Sequence, residues 1–269
     1  MTKVVAVYSM KGGVGKTTIA VNLSYCSACK EGRRTLLWEI DAQGAASFLL
    51  GQERRLAKAR HVFSREVDPT ELIEPTRWPG LDLLGADLSL RHLDRTLSEA
   101  GKPKRLRKLL QSLAADYDRI ILDCPPGLGE LGDQVFRAAD LTVVPVPPTP
   151  LAVRSLEQVR AHIDRDHGGT PPVLPVLSMV DRRRKLHRET VVEHPDWPVI
   201  PQASIVERMA IEKSPLGACA GNAPVAMAMS DLWQAVERRL AMSGEPGRKR
   251  KTGKLARIPS PPVAPPPAQ

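Results

Sequence analysis

"YSMKGGVGKTTIAVNL" occupies residues 8–23, and its reading decides the fold. An apolar, β-branched run, "KVVAVYS" (3–9), leads into it and reads as a buried parallel strand. A helical pattern, "KTTIAVNLSYCSACKEG" (16–32), follows, with Ile19, Leu23 and Cys26 on one face and Gly32 as its stop. Strand, glycine-rich turn and helix in that order place backbone N–H groups where an anion can sit. Gly15, Lys16 and Thr17 match the second half of the phosphate-loop pattern G-x-x-x-x-G-K-[ST]. Its first glycine would fall on Met10, so the plain pattern is not met. Gly12 and Gly13 stand instead where backbone can close on an anion without an intervening Cβ. The loop from Gly12 through Gly13, Val14, Gly15, Lys16, Thr17 and Thr18 is therefore expected to bind nucleotide phosphates. Lys16 is expected to pair with the β- and γ-phosphates, and the Thr17 hydroxyl to ligate Mg²⁺. The dinucleotide pattern G-x-G-x-x-G fails, because Thr18 stands where its third glycine belongs. A second lysine, Lys11, precedes the glycines, and phosphate binding alone does not require it.

Further strands are expected at 34–41, 81–86, 118–127, 141–149, 172–180 and, as a short seventh, 197–201. Helical patterns lie at roughly 103–115, 131–139, 150–165, 204–213 and 224–241. Strands alternating with helices imply an α/β fold: a doubly wound, mostly parallel sheet with helices on both faces. The phosphate-binding domain is expected to span 1–243. From Gly244 onward the pattern fails, and 244–269 reads as a basic, proline-rich, disordered tail.

Composition sets further bounds. Apolar residues make up 42% of the 269, which is ordinary for a folded domain, but aromatics are only 4%, so the core must be mainly aliphatic. The formal net charge is +9, and six of the positive charges lie at Arg248, Lys249, Arg250, Lys251, Lys254 and Arg257. Setting these aside leaves about +3 on the body. A polyanionic partner, nucleic acid or anionic membrane, fits that charge, and so does simple solubility. No leader and no membrane-length apolar stretch is evident, so a cytoplasmic setting with reduced thiols is expected.

The segment "KGGVGKTT" (11–18) resembles the deviant Walker A motif of the ParA/MinD family of ATPases. "LLWEIDAQGAAS" (36–47) resembles that family's switch I, and "YDRIILDCPPGLG" (117–129) its Walker B and switch II. "ADLTVVPVPPTPLAVRSLEQV" (139–159), "VIPQASIVERM" (199–209) and "PVAMAMSDLWQAVERRL" (224–240) extend the likeness over roughly residues 1–240. The resemblance implies a SIMIBI-type P-loop fold, ATP and Mg²⁺ as cofactors, and hydrolysis of ATP to ADP and phosphate. It also implies a catalytic set of Lys11, Lys16 and Asp41. Lys11 would reach across a nucleotide-sandwich homodimer to the partner subunit's ATP, offsetting charge there as an arginine finger does. The other reading of Lys11 is a solvated loop lysine.

The carboxylates follow from the same likeness. Asp41 would orient or activate the attacking water. Asp123 ends the apolar run "RIILD" and would hold the Mg²⁺ shell, where an otherwise unpaired buried carboxylate is costly. Glu39 stands where the family usually has an aspartate near the metal; its alternative is a solvent-facing residue at a strand end. Pro126 and Gly127 belong to switch II, and Gly127 permits a close approach to the γ-phosphate.

Other signals are weaker. Cys26 and Cys29 fall within the first helix with no second pair, so ordinary packing is expected. His162 and His167 lie beside no carboxylate spacing typical of a metal site, and metal binding there is not expected. "VDRRRKLHRE" (180–189) concentrates Arg182, Arg183, Arg184, Lys185 and Arg188. Such a run is either a solvated face or, given the family, a nonspecific DNA surface. A ParB-like or adaptor protein would stimulate hydrolysis, the dimer would associate with the nucleoid, and the cargo would be a plasmid, a chromosome or another body. Two alternatives remain: a MinD-like membrane-surface switch, and a P-loop amide ligase related to cobyrinic acid amidase or dethiobiotin synthetase. Prolines from Pro259 onward oppose an amphipathic membrane helix at the C-terminus. The amidase would normally carry a glutaminase domain for which the chain is short.

Overall fold

A computed structural model describes residues 1–52 and 58–242. The basic, proline-rich segment expected to be disordered lies outside them. Among the described residues eight strands form one sheet: β1 (Lys3–Val7), β2 (Thr35–Glu39), β3 (Ile73–Pro75), β4 (Leu81–Leu84), β5 (Arg119–Asp123), β6 (Leu141–Val146), β7 (Val173–Val180) and β8 (Val199–Pro201). Their order is β3-β4-β2-β5-β1-β6-β7-β8. All neighbours pair in parallel except β3 with β4.

The first strand shows why the sheet is covered twice. Val4, Ala6 and Tyr8 enter one core and Val5 and Val7 the other, as the two-residue repeat of a strand requires. On the second face pack α1 (Lys16–Tyr25), the short α2 (Ala45–Leu49) and the long C-terminal helix Pro224–Met242, which buries Leu232, Trp233 and Val236. On the first pack α3 (Ala59–Ser64), α4 (Leu93–Ala100), α5 (Arg105–Leu113), α6 (Glu130–Ala138) and α7 (Pro150–His167). Parallel strands buried on both faces read as unbroken apolar runs, which is why they were legible.

Several elements differ from the sequence reading. The first helix is regular only to Tyr25 and continues as a π-helical turn, Cys26–Lys30. Cys26 is buried and Cys29 half-buried, and burial pushes both thiols up. The stretch 204–213 divides into a 3₁₀ turn, Ser204–Glu207, and a short helix, Arg208–Glu212. Strand β3 was not anticipated: it is three residues long, antiparallel and ends on Pro75 at the sheet edge, where a missing N–H is tolerated.

Candidate nucleotide site

The site forms at the carboxyl ends of β1, β2 and β5, where open α/β sheets bind ligands. Gly13 (φ 70°) and Gly15 (φ 92°) hold left-handed conformations that side-chain-bearing residues rarely adopt, so the loop turns tightly into α1. Gly15 is the N-cap of α1, leaving the first-turn N–H groups open to an anion.

The two lysines of this loop are used differently. Lys16 is only 7% exposed, and its Nζ donates to the Lys11 carbonyl at 3.2 Å. Burial lowers its pKa, while Asp123 and Asp41 act to raise it, which places both carboxylates in its field. Lys11 is half-buried through its chain, and among the described residues its ammonium has no hydrogen-bond or ion-pair partner.

Asp123 is 0% exposed at the end of β5. Neither carboxylate oxygen has a hydrogen-bond partner of good geometry, although Thr17 lies close enough to hold its pKa down in part. Burial pushes the carboxyl up to about 7, and the neighbouring Glu39 and Asp41 add to the rise. A buried carboxylate without a partner is expensive unless a cation joins it, so Asp123 and Thr17 fit a Mg²⁺ shell.

Glu39 is committed elsewhere. It too is 0% exposed, so the solvent-facing reading fails. Its Oε1 accepts from the Ala46 N–H (2.5 Å), and its Oε2 from the Ser47 hydroxyl (2.6 Å), the Ser47 N–H (3.3 Å) and the Ala86 N–H (3.2 Å). The carboxylate therefore ties α2 and the end of β4 to β2. The extra methylene relative to an aspartate supplies that reach, and the donors are backbone groups no motif encodes. Burial raises the Glu39 pKa, and these hydrogen bonds oppose the rise.

Asp41 is half-buried, and its Oδ1 accepts from the Gln43 N–H at 3.1 Å. Together with Pro126 and Gly127 it lines a cavity of about 290 Å³, completed by Arg91, Asp94 and Leu128. Gly127 sits at φ 106°, and its carbonyl accepts from the Tyr8 hydroxyl at 2.6 Å. Asp94 of α4 accepts from the Leu131 N–H at 3.0 Å in the first turn of α6. Tyr8 thus holds the middle of the loop between β5 and α6 and Asp94 holds its junction with α6, and sequence reading missed both because their partners are backbone atoms. It also missed a second cavity, of about 240 Å³, beside the phosphate loop. Val14, Gly15, Thr18, Met179, Gln202 and Glu207 are among its walls.

None of the predicted DNA residues lines either cavity. Lys185 and Arg188 are on α8 (Lys185–Glu193), while Arg182, Arg183 and Arg184 precede it; all five are exposed. Arg183 forms a paired contact with Asp181 (2.9 Å for both bonds). Arg188 donates to the Arg182 and Arg183 carbonyls (3.0 and 2.9 Å), and Lys185 faces Glu189 at 3.6 Å. The guanidinium groups of Arg182 and Arg184 have no hydrogen-bond or ion-pair partner among the described residues.

A family model described as an AAA domain matches residues 2–168. The chromosome partitioning protein ParA of Caulobacter vibrioides is 36% identical over 197 residues, covering 70% of this chain and 73% of that protein. The chain belongs to the ParA/MinD family of P-loop ATPases. The sporulation initiation inhibitor protein Soj of Bacillus subtilis is 33% identical, covering 72% of this chain and 79% of that one. Among solved structures, cobyrinic acid a,c-diamide synthase from Mycobacterium smegmatis, bound to ADP and magnesium, is 26% identical. It superposes with a TM-score of 0.73, over 90% of this chain and 96% of that one. That coverage removes an expectation: a chain bearing the amide ligase's name is no longer than this one, so length does not argue against that reading. An ATP complex of Cyanothece McdA, 17% identical with a TM-score of 0.74 over 89% of this chain and 96% of that one, supports the fold alone. Among the described residues of this ParA/MinD member, no helix is long and apolar enough to cross a membrane.

Proposed function

We propose that this ATPase is a partition or positioning switch of the ParA type, in which ATP joins two copies of the chain. The observation that carries the reading is the ammonium of Lys11, without a partner among the described residues, on the same loop whose other lysine is already buried and bonded. A cation held free beside a phosphate site has little to do within its own subunit. In a closed pair it would offset charge on the partner's triphosphate, so each nucleotide would stabilise the dimer. In each subunit Lys16 and the N–H groups of Gly13–Thr17 would hold the phosphates, and the 240 Å³ cavity would take the base. Asp123 and Thr17 would hold Mg²⁺, which supplies charge neutralisation on the β- and γ-phosphates. Asp41, on the shared cavity wall with Gly127, would orient the attacking water.

The dimer would then bind DNA without sequence preference until a ParB-like or adaptor partner stimulates hydrolysis. Arg182 and Arg184 are the best-placed to meet phosphates, since Arg183 and Arg188 are already engaged. Binding measured with ATP, with ADP and without nucleotide across a salt series is expected to show steep salt dependence only with ATP. Replacing Arg182 and Arg184 with alanine should flatten the log–log slope by about 1 for each phosphate no longer neutralised. Equal affinity in all three nucleotide states would overturn the DNA assignment.

The likeness to the diamide synthase favours one second reading, an amide ligase using the same loop. It predicts ADP formation driven by a small carboxylic acid and an amine donor, not by DNA and a protein partner.

A further inference from the structure

Asp133, His162 and His167 come from two helices that run side by side, α6 and α7, and their ligating atoms all lie within 4.8 Å of one another. Both imidazoles aim at one carboxylate oxygen. Nε2 of His162 is 2.6 Å and Nε2 of His167 is 2.9 Å from Asp133 Oδ1. The side chain of His167 is only 4% exposed, and those of His162 and Asp133 are partly open, which leaves a route in from solvent.

The other ring nitrogen of His162 also faces a carboxylate. Its Nδ1 lies 3.0 Å from Asp166 Oδ2. A neutral imidazole carries one N–H, so it can donate to only one of two carboxylates. With Nε2 turned to a metal ion, the ring's single N–H would sit on Nδ1, facing Asp166. Without a metal Nδ1 accepts from the Arg165 guanidinium at 3.2 Å, itself bound to Asp166, and metal binding would exchange that bond for one from Nδ1–H to Asp166. Carboxylate, imidazole and metal in a line is the usual outer support of a zinc-bound histidine. Two imidazole nitrogens and one carboxylate oxygen, with a fourth position open to water, suit tetrahedral Zn²⁺. Bond lengths of about 2.0–2.2 Å require ligand atoms about 3.3 Å apart, so the contacts of 2.6 and 2.9 Å would open by about 0.7 and 0.4 Å, within reach of side-chain rotation.

We propose that Asp133, His162 and His167 bind one Zn²⁺, with Asp166 as the positioning residue behind His162. The ion would pin α6, the helix that begins directly after switch II, to α7. The site does not depend on the ATP-driven dimer.

The test uses tag-free full-length protein, stripped with chelator and titrated with Zn²⁺ in excess Mg²⁺. One equivalent of Zn²⁺ should bind, raise the melting temperature and withstand Mg²⁺, and Co²⁺ in its place should give the strong visible bands of a four-coordinate site. His162→Gln and His167→Gln should each weaken Zn²⁺ binding by about 100-fold or more, and Asp166→Asn by about 10- to 100-fold, with ATP binding retained. Should those variants fail to fold, wild-type protein answers alone: stoichiometric Zn²⁺ should protect both histidines from diethyl pyrocarbonate. The proposal is overturned if no stoichiometric Zn²⁺ is retained, or if it is retained equally by both histidine variants, as a site at Cys26 and Cys29 would give. It is also overturned if His162 stays a doubly protonated imidazolium with Zn²⁺ present.

Discussion

Asp123→Asn should abolish Mg²⁺-dependent hydrolysis while making the nucleotide-free protein more stable at neutral pH. Both effects come from one buried carboxylate. Its pKa in the fold is about 7, well above the ordinary carboxylate value near 3.8. Between those two values the folded protein keeps a proton that the unfolded chain has lost. Stability therefore falls as pH rises through that window and levels off above it. Asparagine carries no such penalty. At pH 8 the variant without nucleotide should melt several degrees above the parent, and the gap should close towards pH 4. With ATP and Mg²⁺ the order reverses, because the cation that compensates the carboxylate no longer has its ligand. Loss of this electrostatic element should cost about 10²-fold or more in turnover. Melting curves across pH, with and without ATP and Mg²⁺, read both halves. A variant that melts below the parent at pH 8 without nucleotide would show that Asp123 is paired in the resting protein.

Glu39→Ala should be among the most damaging single substitutions in the chain. It leaves the N–H groups of Ala46, Ser47 and Ala86 without their acceptor in a buried setting. Removing one partner of such a buried, charge-assisted network costs about 3–5 kcal/mol. Glu39→Asp, the residue usual in the family, should fall between the two, since the shorter side chain cannot reach both α2 and the end of β4. Urea unfolding midpoints measure the series. If Glu39→Asp matched the parent, the extra methylene would have no structural use, and a metal-side role for Glu39 would return.

How much was legible in the residues follows from where each interaction is encoded. The phosphate loop, Asp41 and Asp123 sit at ends of apolar strands with local spacing, so pattern and the family resemblance together singled them out. Helix α8 was hidden because it buries only His187 and Thr190 and shows no apolar stripe for periodicity to detect. The run of arginines beside it reads as charge, and only the folded geometry separates Arg182 and Arg184 from Arg183 and Arg188. Glu39 and Tyr8 bond to backbone atoms, which carry no residue signature. Asp133 lies 29 residues before His162, and its meaning appears only when α6 packs on α7.

The claim that ATP bridges two copies through Lys11 is met most directly by sedimentation in saturating ATP and Mg²⁺. Asp41→Ala, slowed in hydrolysis by about 10²-fold, should run as a dimer. Lys11→Ala combined with Asp41→Ala should bind ATP equally well and run as a monomer. A dimer that persists without Lys11, or an Asp41→Ala protein that remains monomeric, would contradict the account.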